Sequence, residues 1–333
     1  MTPINLPPQA HTPTAYADLR MFRIFQHFPD EMLRKLAAIA QEISVPQGKA
    51  IYTEGDGGED FYVIVAGSVE GARGTPVGRQ LAVRLRVGQM FGHTSYLDAK
   101  PRPVTVVATQ PTVLLRFDSY QVRSLIERDP ELNIALLRAF WHAMATKIRQ
   151  ANQFMAEVFT QRDTIPHAGA SAEGEQVELG PAKKLELFKE RGLSAAELRL
   201  LAMTLTAQRF APDAFIFVEG DKGDCLYIVV DGRVRISRRM TGMGEETLAI
   251  LERGEVFGEM ALVDDQPRSA DARAHMEPAT VLTLTQADLE EILNLPPTAA
   301  SQFLRLLDCI LCRRLRNMVD LLVSWRMMAG FGP

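Results

Sequence analysis

Leu226-Tyr227-Ile228-Val229-Val230-Asp231-Gly232 repeats, apolar residue for apolar residue over its first five positions and with the same closing glycine, an earlier run, Phe61-Tyr62-Val63-Ile64-Val65-Ala66-Gly67, at positions 165 higher. Glu54-Gly55-Asp56 returns at the same separation as Glu219-Gly220-Asp221. Further on, Gly88-x-x-Phe91-Gly92 matches Gly254-x-x-Phe257-Gly258, and Arg102 matches Arg268, now 166 apart. One residue inserted in a hairpin loop near 237–247 accounts for the change. Collinear agreement of this extent marks an internal duplication.

Working outward, each copy has the same plan. A short helical stretch opens it, Asp30 to Glu42 in the first copy and Ser194 to Met203 in the second. Short β-branched and aromatic runs follow between glycine turns: Ala50–Thr53, Phe61–Ala66, Ser68–Gly71 and Leu81–Leu85, then Phe215–Val218, Leu226–Val230, Arg233–Ser237 and Thr247–Leu251. Many short strands with glycine punctuation predict a small barrel or jelly roll, not βαβ units. Each copy ends in an apolar-periodic helix, Glu131–Phe159 and Thr298–Met328. The expected fold class is therefore α+β, two β-jelly-roll barrels with flanking helices, each followed by a long C-terminal helix. The expected segmentation is a loose arm over 1–20, a first domain over 21–160, a flexible linker over 161–184 and a second domain over 185–333.

Bulk properties fit two ordinary domains: 333 residues, 47% hydrophobic and 23% charged. A formal net charge of −4 gives no global footprint for nucleic acid. No run approaches the roughly 18 apolar residues of a membrane span, and the amino terminus lacks the pattern of a secretory signal. A cytoplasmic location is expected. Cys225, Cys309 and Cys312 are too few for a disulfide framework. Cys309 and Cys312 have CxxC spacing, but they sit in an apolar helical pattern with no second ligand pair, so no metal site is expected.

Phe257-Gly258-Glu259-Met260-Ala261-Leu262 leads through five residues to Arg268-Ser269-Ala270. This is a glycine turn, a carboxylate, a helix start and an arginine among small residues. Free N–H groups at a helix start and a guanidinium fork together suit an anion. The carboxylate needs a hydroxyl donor instead, so the pair describes a sugar phosphate. These residues resemble the phosphate-binding cassette of the cyclic-nucleotide-binding family, which includes catabolite activator proteins and protein kinase A regulatory subunits. The resemblance implies that Glu259 binds the ribose 2′-hydroxyl and Arg268 the cyclic phosphate. It implies further that backbone N–H groups of Gly258, Ala261, Ser269 and Ala270 complete the cradle, with Leu262 closing the motif. The implied regulatory ligand is cyclic AMP, with cyclic GMP as the alternative.

The first copy keeps Gly92 and Arg102 but has His93 for the glutamate, Ser95-Tyr96 for Ala-Leu, and Pro103-Val104 after the arginine. Neutral histidine accepts only weakly from a ribose, proline lacks an N–H, and Tyr96 is expected to crowd the site. Each charge-assisted bond contributes about 1.5–3 kcal/mol. Gly92, His93 and Arg102 therefore form a degenerate site, and the second copy alone is expected to take nucleotide.

In the resembled family the terminal helix closes over the base. Met318 and Val319 stand where a catabolite activator has Thr-Ser, so that mode of adenine recognition is not carried over. Phe303, Leu307, Ile310, Leu311, Leu315, Met318, Leu322 and Trp325 make a wide apolar stripe. It suits either pairing with Glu131–Phe159 as an intramolecular pseudo-dimer or a true homodimer. No helix-turn-helix follows the last helix, so DNA reading is not expected. Arg238-Arg239-Met240-Thr241 resembles a kinase recognition site placed in a strand-to-strand loop. No Walker, GxSxG or HExxH motif is present, so catalysis is not expected. Two functions remain: a cytosolic cyclic-nucleotide receptor signalling to a separate effector protein, or a ligand-independent scaffold.

Overall fold

The computed structural model describes residues 19–159, 171–189, 205–240, 244–264 and 266–328. They fall into two compact units, one containing residues 1–151 and 311–333 and the other residues 152–310.

After a short 3-10 helix (Arg23–Phe25), the first unit has α1 (Asp30–Ile39), β1 (Ala40–Val45), β2 (Ala50–Tyr52), β3 (Phe61–Ala66), β4 (Ser68–Thr75), β5 (Gly78–Arg86) and β6 (Met90–Phe91). The short helix α2 (His93–Asp98) leads to β7 (Thr105–Ala108), β8 (Thr112–Phe117), α3 (Ser119–Arg128) and α4 (Pro130–Phe159). The strands form two four-stranded antiparallel sheets, β1-β8-β3-β6 and β2-β7-β4-β5. Inward side chains from both sheets, among them Ile64, Val69, Leu85, Phe91, Val106 and Leu114, share one core. That is the alternation a two-sheet roll requires.

The second unit repeats the scheme. After β9 (Glu175–Gln176) and α5 (Pro181–Lys189) come β10 (Thr206–Phe210), β11 (Phe215–Phe217), β12 (Cys225–Asp231), β13 (Val234–Met240), β14 (Gly244–Leu251) and β15 (Val256–Phe257). Then follow α6 (Ala261–Asp264), β16 (Asp271–Ala274), β17 (Ala279–Thr285), α7 (Gln286–Leu293) and α8 (Pro297–Met328). The sheets are β15-β12-β17-β10-β9 and β11-β16-β13-β14, the first unit's strand order with one strand added. The α+β class and the paired β-sandwich barrels expected from the sequence are what the chain adopts.

Several expectations need correcting. The opening helix stops at Ile39, and residues to Val45 pair with β8. The expected linker is partly built into the fold: Glu175 and Gln176 pair with Arg209 and Gln208, and Ala172 N donates to Phe215 O at 2.8 Å. The reason is that β10 would otherwise be an edge with unpaired backbone groups. The compact units also cut across the repeats, passing through α4 and α8. Val319 and Val323 of α8 are buried in the first barrel's core, which draws this part of the helix into the first unit. Most of the expected arm and the whole expected helix from Ser194 to Met203 lie outside the described residues. So does the Trp325 side chain. Among the described residues no helix is long and apolar enough to cross a membrane.

Candidate functional site

In the second unit the cassette starts where β15 ends. Gly258 has a φ of +75°, and a Cβ there would stand 2.6 Å from Arg268 Nη1. The turn thus demands glycine twice, for conformation and for space. Gly223 is under the same pressure, since its Cβ would meet both Ala261 Cβ and Arg268 Cζ at 2.6 Å. Glu259 follows, only 2% exposed, and Met260, Ala261 and Leu262 are buried beside it. After α6 the chain returns through Arg268, 5% exposed, to the partly exposed Ser269 and the buried Ala270.

Arg268 is held from all sides. Its Nη1 donates to Gly258 O at 2.6 Å and its Nη2 to Cys225 O at 2.9 Å, while the guanidinium carbon lies 4.3 Å from the Phe217 ring centre. Its own backbone bonds Asp221 O and Gly220 N, tying the cassette to the Glu-Gly-Asp turn. Its Nε is buried without a hydrogen-bond partner. A buried guanidinium with a donor left over is costly unless an acceptor completes it. Gly258, Glu259, Ala261, Leu262, Arg268, Ser269 and Ala270 are therefore brought together around one turn. Ser269 Oγ lies 3.9 Å from Met260 Sδ.

The first copy reproduces the arginine atom for atom. Arg102 Nη1 donates to Gly92 O at 2.8 Å and Nη2 to Asp60 O at 2.6 Å, with its guanidinium 4.4 Å from the Tyr52 ring centre. Gly92 has a φ of +84°. His93 is different. It is 0% exposed, both ring nitrogens lack partners, and its ring stacks on Phe140 at 5.6 Å and 1°. Burial, then the charges of Lys147 and Arg102, hold its pKa well below the ordinary imidazole value. The ring is a core group. Tyr96 was expected to crowd a ligand; it is instead buried edge-on against Phe61 at 5.6 Å, where it fills the core under α2.

Pro103, which removes an N–H, offers its carbonyl to Arg73 Nε at 3.2 Å and Nη2 at 3.0 Å. Arg73 also pairs with Glu54 at 3.2 Å and with Asp320 of α8. Asp98, at the end of α2, receives Arg316 Nε at 2.7 Å and Nη2 at 2.9 Å. Sequence reading missed Arg73, Asp98 and Arg316. A signal existed for the first two: Arg73 and Asp98 recur as Arg238 and Asp264 at the repeat separations. Arg238 was expected in a loop; it lies within β13, buried, with Nε on Glu219 at 3.1 Å and Nη1 on Asn152 O at 2.7 Å. A kinase would not find it there, and Thr241 lies outside the described residues. Cys312 is buried with Sγ 3.5 Å from Met144 Sδ, and Cys309 is half-buried.

Comparison with known proteins gives the same family twice over. The cyclic nucleotide-binding domain model matches residues 42–129 and 207–295, together more than half of the chain. A cAMP-dependent protein kinase regulatory subunit of Yarrowia lipolytica is 26% identical over 273 residues, covering 81% of this chain and 59% of that protein. A cyclic AMP receptor protein of Thermus thermophilus is 40% identical over 127 residues, covering 38% of this chain and 56% of that protein. The chain thus spans less than two thirds of the length of either relative. A solved cyclic nucleotide-binding domain from Methylobacillus flagellatus is 28% identical, with a TM-score of 0.40 over 44% of this chain and 83% of that one. With two matched domains, each folded as a β-sandwich with flanking helices, the chain belongs to the family of proteins built on the cyclic nucleotide-binding domain.

Proposed function

We propose that this chain is a cytoplasmic cyclic-nucleotide receptor whose second domain takes cyclic AMP and signals through α8 to a separate effector protein. Arg268 receives the cyclic phosphate, Glu259 the ribose 2′-hydroxyl, and the N–H groups of Gly258, Ala261, Ser269 and Ala270 complete the cradle above Leu262. The observation that carries this reading is the buried Arg268, its Nη atoms on backbone carbonyls and its Nε still lacking an acceptor. Two relatives named for cyclic AMP support the ligand choice, with cyclic GMP as the competitor.

The first domain has a different part. A histidine stacked in the core and a proline carbonyl bound to Arg73 favour a structural or protein-contacting role for it.

Titration calorimetry with cyclic AMP and cyclic GMP tests the proposal. One equivalent should bind, and Arg268→Ala should weaken it by about a hundredfold or more, since roughly two charge-assisted bonds are lost. Arg102→Ala should leave that affinity in place. A chain carrying Arg268→Ala that still binds one equivalent tightly overturns the assignment. Flat titrations with every cyclic nucleotide would favour the scaffold reading.

A further inference from the structure

We propose that the first repeat's cassette face is a receptor for a helix, and that its partner is the chain's own segment Leu311–Met328. The inference goes beyond the nucleotide reading and does not depend on it, because every contact lies within the first compact unit.

Besides Cys312, whose Sγ lies 3.9 Å from Thr94 O, the α8 residues Arg316, Val319, Asp320 and Val323 make the contact, at the three- and four-residue spacing that places them on one face. Arg316 enters the segment that follows α2. Besides its two bonds to Asp98 it donates Nη1 to Pro101 O at 2.8 Å and Nη2 to Lys100 O at 3.4 Å. This planar fork against a carboxylate is a geometry that lysine cannot supply. Asp320 binds Arg73, which is already oriented by Glu54 and Pro103 O. Val319 and Val323, both buried, join the barrel core with Val104 and Val106. The face therefore presents an acid, a base and an apolar floor, and the helix presents base, acid and valines in the complementary order.

Two departures in the first cassette fit this use. Pro103 has no N–H to offer an anion, yet its carbonyl anchors Arg73, one of the two charged groups that hold the helix. His93, with its uncharged ring in the core, gives α2 the close packing that positions Asp98 at its far end. The stretch that frames a phosphate in the second copy frames a guanidinium here.

Hydrogen exchange of the full chain, read on peptides within residues 311–328 and without added nucleotide, tests the proposal. Asp98→Arg and Arg316→Asp should each raise exchange there by about tenfold or more, and combining them should bring protection back to within about threefold of the parent. Asp98→Asn, which keeps size and removes charge, should act in the same direction. Protection in β3 reports that the barrel itself remains folded in each variant. Unchanged exchange with β3 intact would overturn the proposal, as would a double variant no better protected than either single one. Since no ligand enters the measurement, a failure to bind cyclic AMP leaves this result standing, and the reverse also holds.

Discussion

Asp308 is fully buried in the second unit, and neither carboxylate oxygen has a hydrogen-bond partner. Burial drives its pKa well above the ordinary carboxylate value, against a weaker opposing pull from Arg305. A group whose folded pKa is raised holds a proton that the unfolded chain has lost, so stability falls as pH rises past the unfolded value near 3.8. Asp308→Leu should therefore stabilise the protein at pH 7, by an amount on the order of 1–3 kcal/mol for an unsatisfied buried polar group, and should flatten that pH slope. Denaturant titrations between pH 4 and 7 check both. At this scale the sequence was informative about identity and silent about environment. Glu259 and Arg268 stood out because a carboxylate and a guanidinium in such a turn suit a sugar phosphate, and their separate roles came from the family resemblance. His93 was misjudged as a weak acceptor, because nothing local to residue 93 announces that Phe140 will stack on it.

Helix α4 carries a second buried ionisable group. Lys147 is 8% exposed, and loss of hydration pushes its pKa down to about 7, with Cys312 opposing. Between about pH 7 and the ordinary value of 10.5 the unfolded chain binds more protons than the folded one. Stability of the first unit should therefore rise with pH across that window. Lys147→Met should remove that contribution, so the melting temperature should rise less, or fall more, from pH 7 to 10 than in the parent; an unchanged slope refutes the account. Among elements, the strands bounded by glycine turns were readable from alternation and composition. Strand β1 was not, because the chain passes from Ile39 into Ala40 with no glycine or proline to mark the change. Strand β9 was hidden for another reason: two exposed polar residues carry no strand signal, and only the open edge of β10 gives them a partner.

For the whole molecule the informative element is α8, whose residues to Ile310 cluster with the second unit and from Leu311 with the first. If cyclic AMP at Arg268 favours one position of this helix, the ligand and the Asp98–Arg316 pair are linked through it. Linkage is reciprocal. Saturating cyclic AMP should then alter exchange in residues 311–328 by about 5- to 150-fold for a typical coupling, and Asp98→Asn, by shifting the same helix equilibrium, should alter the affinity for cyclic AMP. Equal affinities for parent and variant would show that the two sites are independent. The seat of α8 was beyond sequence reading because its apolar stripe fits several partners equally, and only three-dimensional proximity selects the first barrel.

The short pairing of Glu175 and Gln176 with β10 also fixes where the second half can be cut out. A fragment beginning at residue 185, the expected start of the second domain, would strip a ladder from Gln208 and Arg209 and the Ala172 N–H from Phe215. Its sheet would present a raw margin to other molecules, an invitation to clump. An excised second half meant to stay dispersed in solution should start ahead of Ala172.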